Sequence, residues 1–297
     1  MDHAAGIAAA AGTSNRVDDD ENKCGEQDDR SSRRNVGVVA DDHTNGPTSC
    51  ADKGSDHEHA GEGVFAVVAT AGTTNFGIVD HLDEIGRVAK EQNVWFHVDG
   101  AYGLAGVLAK STRALFAGVE LADSFIVDPH KWLFAPFDAC ALVYRNPEIA
   151  RAAHTQHGEY LETLTESGEW NPSDYAINLT RRPRGLPLWF SLATHGVAAY
   201  REAVETNCQL ARDAAELIRQ RDDLELVREP MLSVVVFKKK NWKQDDYDRW
   251  SAQLLEDQIA FVVPSSHRGE PNLRFAIVNP TTTIETLSEI LDRIAKD

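Results

Sequence analysis

The sequence contains little sulfur and few positive charges. Its 297 residues include 4 Cys and 2 Met, and no two cysteines form a C-x-x-C pair. The N-terminus lacks the basic-then-apolar layout of a signal peptide, so we expect free thiols in a reducing cytoplasm. Asp and Glu number 47 against 30 Lys and Arg, a net charge of −17, which argues against nucleic acid as a partner. No apolar run is long enough to span a bilayer, so we expect no membrane partner.

Residues 1–63 contain few large apolar side chains. They contain no Leu, Phe, Tyr or Trp and are rich in Asp and Gly. Such a segment cannot bury enough apolar surface to offset the entropy of ordering it, so it is predicted to be a disordered acidic tail. Three of its histidines (His43, His57 and His59) are interpreted as solvated side chains rather than metal ligands, and no metal site is predicted.

From residue 64 the chain alternates short apolar runs with helical patterns. Strands are predicted at 64–69, 94–98, 124–127 and 139–144, and helices over 82–89 and 112–118. Continuous apolar runs of this kind are typical of strands buried in a parallel sheet with right-handed crossovers. The fold class predicted is α/β, with a mostly parallel sheet whose ligands bind in loops at one edge.

The second half predicts a long loop, a long helix and a small α+β unit. The predicted elements are a loop at 146–184, a helix at 187–201 continuing to 219 through a break near 206–207, strands at 232–237, 260–263 and 273–278, and helices at 246–259 and 284–295. Thr282 and Glu285 form a capping box for the last helix. The predicted domains are a tail (1–63), a large domain (64–195, with a mobile loop at about 150–184), and a connecting helix with a C-terminal domain (196–297).

The strand at 124–127 ends at Asp128-Pro129, and a lysine follows on the next turn. Proline cannot extend a central strand, so Lys131 is presented just beyond the sheet. Apolar and aromatic neighbours would strip water from this lysine and favour a neutral, nucleophilic amine. An aldehyde cofactor needs such an amine, but for a His-Lys pair taken alone the favoured interpretation is an exposed surface lysine.

Two further polar sites follow strands. Asp99 ends a buried strand, where a carboxylate is costly unless it meets a cation. The loop Thr70-Ala-Gly-Thr-Thr74 offers small residues and hydroxyls to a ligand. His97 and Asp99 could instead bind zinc, but no third ligand follows at suitable spacing.

An aspartate at one strand end and a lysine at the next strand but one suit pyridoxal phosphate. Lys131 would hold the aldehyde, and Asp99 would keep the pyridine nitrogen charged. Ala101 would leave room for the ring face, and Thr74 would contact the cofactor.

The run from Phe65 to Tyr144 resembles the pyridoxal-phosphate-dependent group II amino acid decarboxylases, of the aromatic-L-amino-acid decarboxylase branch and fold type I. The matching motifs are Ala69-Thr-Ala-Gly-Thr-Thr74, His97-Val-Asp-Gly-Ala-Tyr102, Ala122-Asp-Ser-Phe125 and Pro129-His-Lys-Trp-Leu133. The resemblance implies decarboxylation of an L-amino acid. It makes Lys131 the covalent cofactor lysine and Asp99 the partner of the ring nitrogen. It also places Thr74 and His130 in the cofactor shell, His130 with a catalytic role.

The resemblance extends to a loop tyrosine, an arginine and a homodimer. Gly158-Glu-Tyr160-Leu161 resembles the loop whose tyrosine protonates the substrate carbon, reaching into the partner subunit; the alternative is an exposed loop tyrosine. Arg181 resembles a family arginine before the long helix, with a surface cation as the alternative. Where the family carries Asn beside the phosphate this chain has Asp128, whose carboxylate would repel a phosphate unless it turns away.

The chain departs from the family at its front. Residues 1–63 do not match the family's phosphate-binding turn, its ring-stacking histidine or its dimer-building segment. Two alternatives therefore stand beside the decarboxylase. One is an inactive fragment or pseudoenzyme, and the other is a different pyridoxal-phosphate reaction, catalysed by an aminotransferase, an aldehyde synthase or a lyase.

Overall fold

A computed structural model describes residues 64–155 and 172–294. The predicted acidic tail, with its histidines, and the loop tyrosine Tyr160 lie outside the described residues.

The first sheet has four strands in the order β1-β2-β3-β4. Its elements are β1 (Ala66–Thr70), α1 (Leu82–Glu91), β2 (Trp95–Asp99), β3 (Ser124–Val127), α2 (Pro129–Trp132) and β4 (Ala141–Tyr144). The first three strands are parallel and β4 is antiparallel to β3, which confirms the mostly parallel sheet. The expectation that one strand separates Asp99 from the lysine turn is wrong, because β2 pairs directly with β3 and sets Asp99 opposite Ile126.

The connection from β2 to β3 consists of 3₁₀ helices. They span Gly103–Leu108, Arg113–Phe116 and Val119–Leu121, so the helix predicted at 112–118 is replaced by shorter turns. Gly118 shows why: it has φ 98°, and a Cβ there would lie 2.1 Å from the backbone nitrogen of Asp83. The chain turns sharply where it touches the start of α1, and a longer regular helix could not make that approach.

The two faces of β2 have different surroundings. Phe96 and Val98 are buried in a core that also contains Leu82 of α1. Because side chains alternate along a strand, His97 and Asp99 lie on the other, more open face. The alternation therefore places an apolar face against α1 and a polar face where a ligand can reach it.

The region predicted as one long loop contains a helix, α3 (Pro147–His154), and a 3₁₀ turn (Pro172–Tyr175). The Asn146 side chain caps α3 by accepting a hydrogen bond from the Glu148 backbone N–H at 3.1 Å. Asn146-Pro-Glu148 is thus a helix start that was not predicted, because the surrounding sequence is polar. Arg151 of α3 pairs with the buried Asp174 at 3.3 Å.

The long helix α4 spans Gly185–Arg219 and is interrupted at Gly196, which has φ 75° and ψ 159°. The break predicted near 206–207 is wrong. Asn207 is fully buried within the helix, and its Oδ1 accepts a hydrogen bond from Trp132 Nε1 at 3.0 Å. The side-chain oxygen of a residue that suggested a helix end is bound instead by a distant side chain, and its buried Nδ2 has no partner among the described residues.

The C-terminal unit is a second four-stranded sheet, all antiparallel, in the order β5-β6-β8-β7. Its elements are β5 (Leu224–Leu226), β6 (Val234–Lys239), α5 (Gln244–Glu256), β7 (Pro264–His267), β8 (Glu270–Ala276) and α6 (Ile284–Ile294). The strand predicted at 260–263 is wrong, since pairing starts at Pro264. The predicted cap of α6 is displaced by one residue, because Thr283 Oγ1 accepts from Thr286 N–H at 3.3 Å.

Contacts from Tyr102 and from Arg274 help to join the two sheets. Tyr102 and the fully buried Ser233 have their hydroxyl oxygens 2.5 Å apart, and Ser233 N–H also donates to Tyr102 at 3.2 Å. Arg274 of β8 donates to the Thr74 carbonyl at 2.6 Å. Across the described ranges, no helix is both long and apolar enough to cross a membrane.

Candidate functional site

The turn that carries Lys131 is held against the end of β2. Gly100 N–H donates to the Ile126 carbonyl at 3.1 Å, and Asp128 N–H donates to the Ala101 carbonyl at 2.9 Å. These bonds continue the β2–β3 contact beyond the last paired residues. They therefore place Asp99 and the first turn of α2 at the same edge of the sheet.

Lys131 forms an ion pair with Asp128. The Nζ of Lys131 lies 2.8 Å from Asp128 Oδ2, and the two residues are three positions apart on α2. The lysine side chain is 41% exposed, whereas the aspartate side chain is only 12% exposed. The Asp128 carboxylate, which would repel a phosphate unless it turned away, faces the lysine amine. The i,i+3 spacing is the sequence signal from which this pair could have been predicted.

Asp99 is exposed, and its Oδ1 accepts a hydrogen bond from Ala101 N–H at 3.1 Å. Within the described parts of the chain, no side-chain cation forms an ion pair with Asp99. Loss of hydration lowers the pKa of the neighbouring His97, and the negative charge of Asp99 opposes this only in part. A neutral His97 leaves the charge of Asp99 available to a cationic ligand.

His97 is held by Ser124. Ser124 Oγ accepts a hydrogen bond from Trp95 Nε1 at 2.9 Å and lies 2.8 Å from His97 Nδ1. The serine proton is then available for Nδ1, which leaves the histidine proton on Nε2. As for the zinc alternative, no group of three or more His, Cys, Asp or Glu suited to a metal occurs in the described ranges.

Cys140 joins the site and was not anticipated. Its thiol is exposed and lies near enough to Asp128 for the carboxylate to act on it. Loss of hydration raises the pKa of Cys140 to about 11; the nearby Asp128 carboxylate adds to this rise and Lys131 opposes it. Asp99 raises that pKa further. The charges of Asp128, Asp99 and Lys131 therefore all act on the Cys140 thiol, which indicates that the three charged groups lie close together.

His130 precedes the lysine and contacts the following loop. Its Nδ1 lies 2.5 Å from the Ala139 carbonyl oxygen and 3.1 Å from the Ala139 nitrogen. Its ring meets Phe137 edge to face, with centroids 5.0 Å apart. Because backbone engages Nδ1, Nε2 is the nitrogen that remains for a ligand.

An aromatic pair supports α2 from inside. Trp132 is fully buried and stacks on Tyr102, with centroids 5.1 Å apart and an interplanar angle of 20°. The hydrogen bond from Trp132 to Asn207 fixes the indole at its other edge. The residue after Lys131 is thus anchored in the core, which restricts where the lysine can point.

Thr74 and Arg181 lie at the surface. Gly72, with φ 111°, lets the Thr74 loop approach Gly103, since a Cβ there would be 2.5 Å from the Gly103 Cα. The exposed Thr74 side chain lies on this loop. Arg181 donates to the Pro172 carbonyl, and no contact within the described ranges links it to Lys131. The predicted roles of Thr74 and Arg181 stay predictions.

The donor set fits pyridoxal phosphate at its aldehyde and its ring nitrogen. Lys131 supplies an accessible amine, and Asp99 supplies a carboxylate without a cationic partner among the described residues. Ala101 is small, and His130 has a free ring nitrogen at the same edge. A lysine and an aspartate at adjacent strand ends of a mostly parallel sheet define the class of fold type I pyridoxal-phosphate proteins.

The family follows from comparison with known proteins. Residues 46–240, more than half of the chain, match the family described as "Pyridoxal-dependent decarboxylase conserved domain". The chain belongs to this family. An aromatic-L-amino-acid decarboxylase of Bacillus atrophaeus is 32% identical over 79% of this chain and 51% of its own length. One from Drosophila lebanonensis is 36% identical over 59% of this chain and 44% of its own.

The chain is also similar to solved structures of other proteins. The Oryza sativa TDC with PLP and tryptamine has a TM-score of 0.71 and 27% identity, covering 78% of this chain and 50% of that one. Mouse CSAD has a TM-score of 0.69 and 26% identity, over 80% and 53% of the two chains. The chain therefore spans about half the length of the relatives it matches.

Proposed function

We propose that this chain carries the lysine-bearing half of a pyridoxal-phosphate-dependent decarboxylase that converts an L-amino acid to its amine and CO₂. The observation that carries the proposal is the placement of Lys131 and Asp99 at adjacent strand ends, with the amine 41% exposed. Family membership supports the cofactor, and relatives named for aromatic amino acids make these the first substrates to test.

Pyridoxal phosphate, when bound, supplies a ring that accepts the electron pair left behind by CO₂. Lys131 would hold the cofactor at its aldehyde through Nζ. Asp99 would hold the proton on the ring nitrogen by its negative charge. The anchored Trp132 would keep the turn that carries Lys131 in place.

Several finer features of the proposal rest on resemblance. They are a proton donated by Tyr160, a homodimer, a cytoplasmic location and substrate contact by Arg181. Tyr160 lies beyond the described residues, and Arg181 contacts the Pro172 backbone. Each stays a prediction.

The direct test is an absorbance spectrum of the purified chain with added pyridoxal phosphate, followed by borohydride reduction and peptide mapping. The expected result is a cofactor band that reduction fixes on Lys131. Amino acids, aromatic ones first, are then screened for CO₂ and amine. Release of a keto acid or an aldehyde would instead show a transaminase or an aldehyde synthase, and absence of a band would favour the inactive alternative.

A further inference from the structure

Asp128 occupies the N-cap position of α2 but does not cap the helix. Its side chain accepts no hydrogen bond from a backbone N–H of that helix. Its Oδ2 lies 2.8 Å from Lys131 Nζ instead. Aspartate is among the preferred N-cap residues. Because the Asp128 carboxylate contacts the Lys131 side chain instead of the helix backbone, it points to a role other than capping.

The two partners differ in freedom. The Asp128 side chain is 12% exposed, and its backbone N–H donates to the Ala101 carbonyl. The Lys131 side chain is 41% exposed. The carboxylate is therefore the fixed partner, and the amine is the one that can move.

The pairing opposes the chemistry that the lysine performs. An ammonium has no lone pair, so Lys131 has to release a proton to solvent before Nζ can attack an aldehyde carbon; the carbonyl oxygen then leaves as water. Deprotonation removes the cation that Asp128 faces and leaves a nearly buried carboxylate without it. The resting ion pair is therefore a barrier to covalent attachment.

We propose that Asp128 is a positioning residue that engages the Lys131 Nζ in an ion pair and thereby slows attachment of the aldehyde cofactor. The slowing of cofactor attachment rests on the proposed function. The restraint on the amine does not, because it concerns only the reactivity of Lys131.

The first experiment uses no cofactor. The chain is methylated with formaldehyde and cyanoborohydride at neutral pH, and the rate at each lysine is followed by peptide mass spectrometry. In Asp128→Asn, Lys131 should react about two- to fivefold faster than in the wild type, whereas Lys110 should be unchanged. Asp128→Glu keeps the charge and should keep the slow rate.

The matched control is Asp223→Asn, which removes the carboxylate partner of Lys239 in the other sheet. It should leave the Lys131 rate unchanged. Circular dichroism checks the fold of each variant. Added salt should also speed Lys131 labelling in the wild type, which tests the ion pair without a substitution.

The second experiment measures the rate of pyridoxal phosphate attachment to Lys131, which should be faster in Asp128→Asn. Equal methylation of Lys131 in the wild type and Asp128→Asn, with no salt effect, would overturn the inference whatever the cofactor does. A different result would be faster methylation of Lys131 in Asp128→Asn together with no attachment of cofactor to Lys131 in the wild type or any variant. That result would refute the proposed function and leave the restraint on the amine intact.

Discussion

Two aspartate–lysine ion pairs, one beside each sheet, have opposite surroundings. In the pair Lys131–Asp128 the lysine side chain is 41% exposed and the carboxylate 12% exposed. In the pair Lys239–Asp223 the lysine is 14% exposed and the carboxylate 39% exposed. The same two functional groups thus present a different end to solvent.

The difference separates a reactive pair from a structural one. An exposed amine held by a buried carboxylate can meet a ligand, whereas Lys239 lies under the protein surface with its Nζ 6.0 Å from the Trp242 ring centre. The neighbours follow the same division. Lys131 shares its site with Asp99 and Cys140, and Lys239 lies over packed aromatic rings.

The largest effect should come from removing the reactive amine. Lys131→Ala should abolish borohydride-fixed cofactor, because no other residue described at the site carries a primary amine. Lys239→Ala, its counterpart in the second pair, should still take up cofactor. Mass spectrometry of the reduced protein measures both. Cofactor that remains fixed on the Lys131→Ala chain would place the site elsewhere.

The tryptophans beside the two lysines should differ in their contribution to stability. Trp132→Ala removes a fully buried ring that stacks on Tyr102 and should lower the free energy of unfolding by about 3–5 kcal/mol. Trp242→Ala removes a half-buried ring and should cost less. Urea denaturation compares them, and equal losses would contradict the packing difference.

The bridge between the two regions is testable through Tyr102. Tyr102→Phe leaves the fully buried Ser233 without its hydroxyl partner and should cost about 1–3 kcal/mol. Loss of hydration raises the pKa of Tyr102, so the phenol is neutral in the folded chain. Urea denaturation followed separately by probes in each sheet would show whether the sheets lose their cooperativity.

The thiol at the reactive pair should report on Asp128. The negative charge of Asp128 helps to hold the pKa of Cys140 at about 11, so Asp128→Asn should lower that pKa. Alkylation of Cys140 at neutral pH should then be severalfold faster, because more thiolate is present. Cys208, whose pKa of about 11 comes chiefly from burial, is the internal control. An unchanged Cys140 rate would mean that Asp128 does not contact the thiol.

The smallest effect is expected from the structural pair. The hydrogen bond from Lys239 holds the pKa of Asp223 below its usual value, so its stabilisation is present above the unfolded pKa and is lost as the pH falls through the folded one. Solvent screening limits the cost of Asp223→Asn to about 0–1 kcal/mol at neutral pH. Urea unfolding at neutral and acidic pH checks both size and sign.

Much of the first sheet could be predicted from the sequence. Short apolar runs located its strands, and Pro129 marked the end of β3 because proline cannot continue a central strand. Helix boundaries were less secure. The break at Gly196 and the cap at Thr283 depend on backbone angles and single hydrogen bonds that several neighbouring residues could have supplied.

The sequence by itself determined that Asp99 and Lys131 follow buried strands, since apolar patterning and proline act locally. Only the tertiary structure decided what surrounds them. The Trp132–Asn207 bond joins residues 75 positions apart, and the Tyr102–Ser233 bond joins residues 131 positions apart. Contacts of that range depend on how complete elements pack, so no local sequence pattern could place Cys140 beside the ion pair of Lys131 and Asp128. Nor could a local pattern show that the Lys131 amine, rather than the Asp128 carboxylate, faces water.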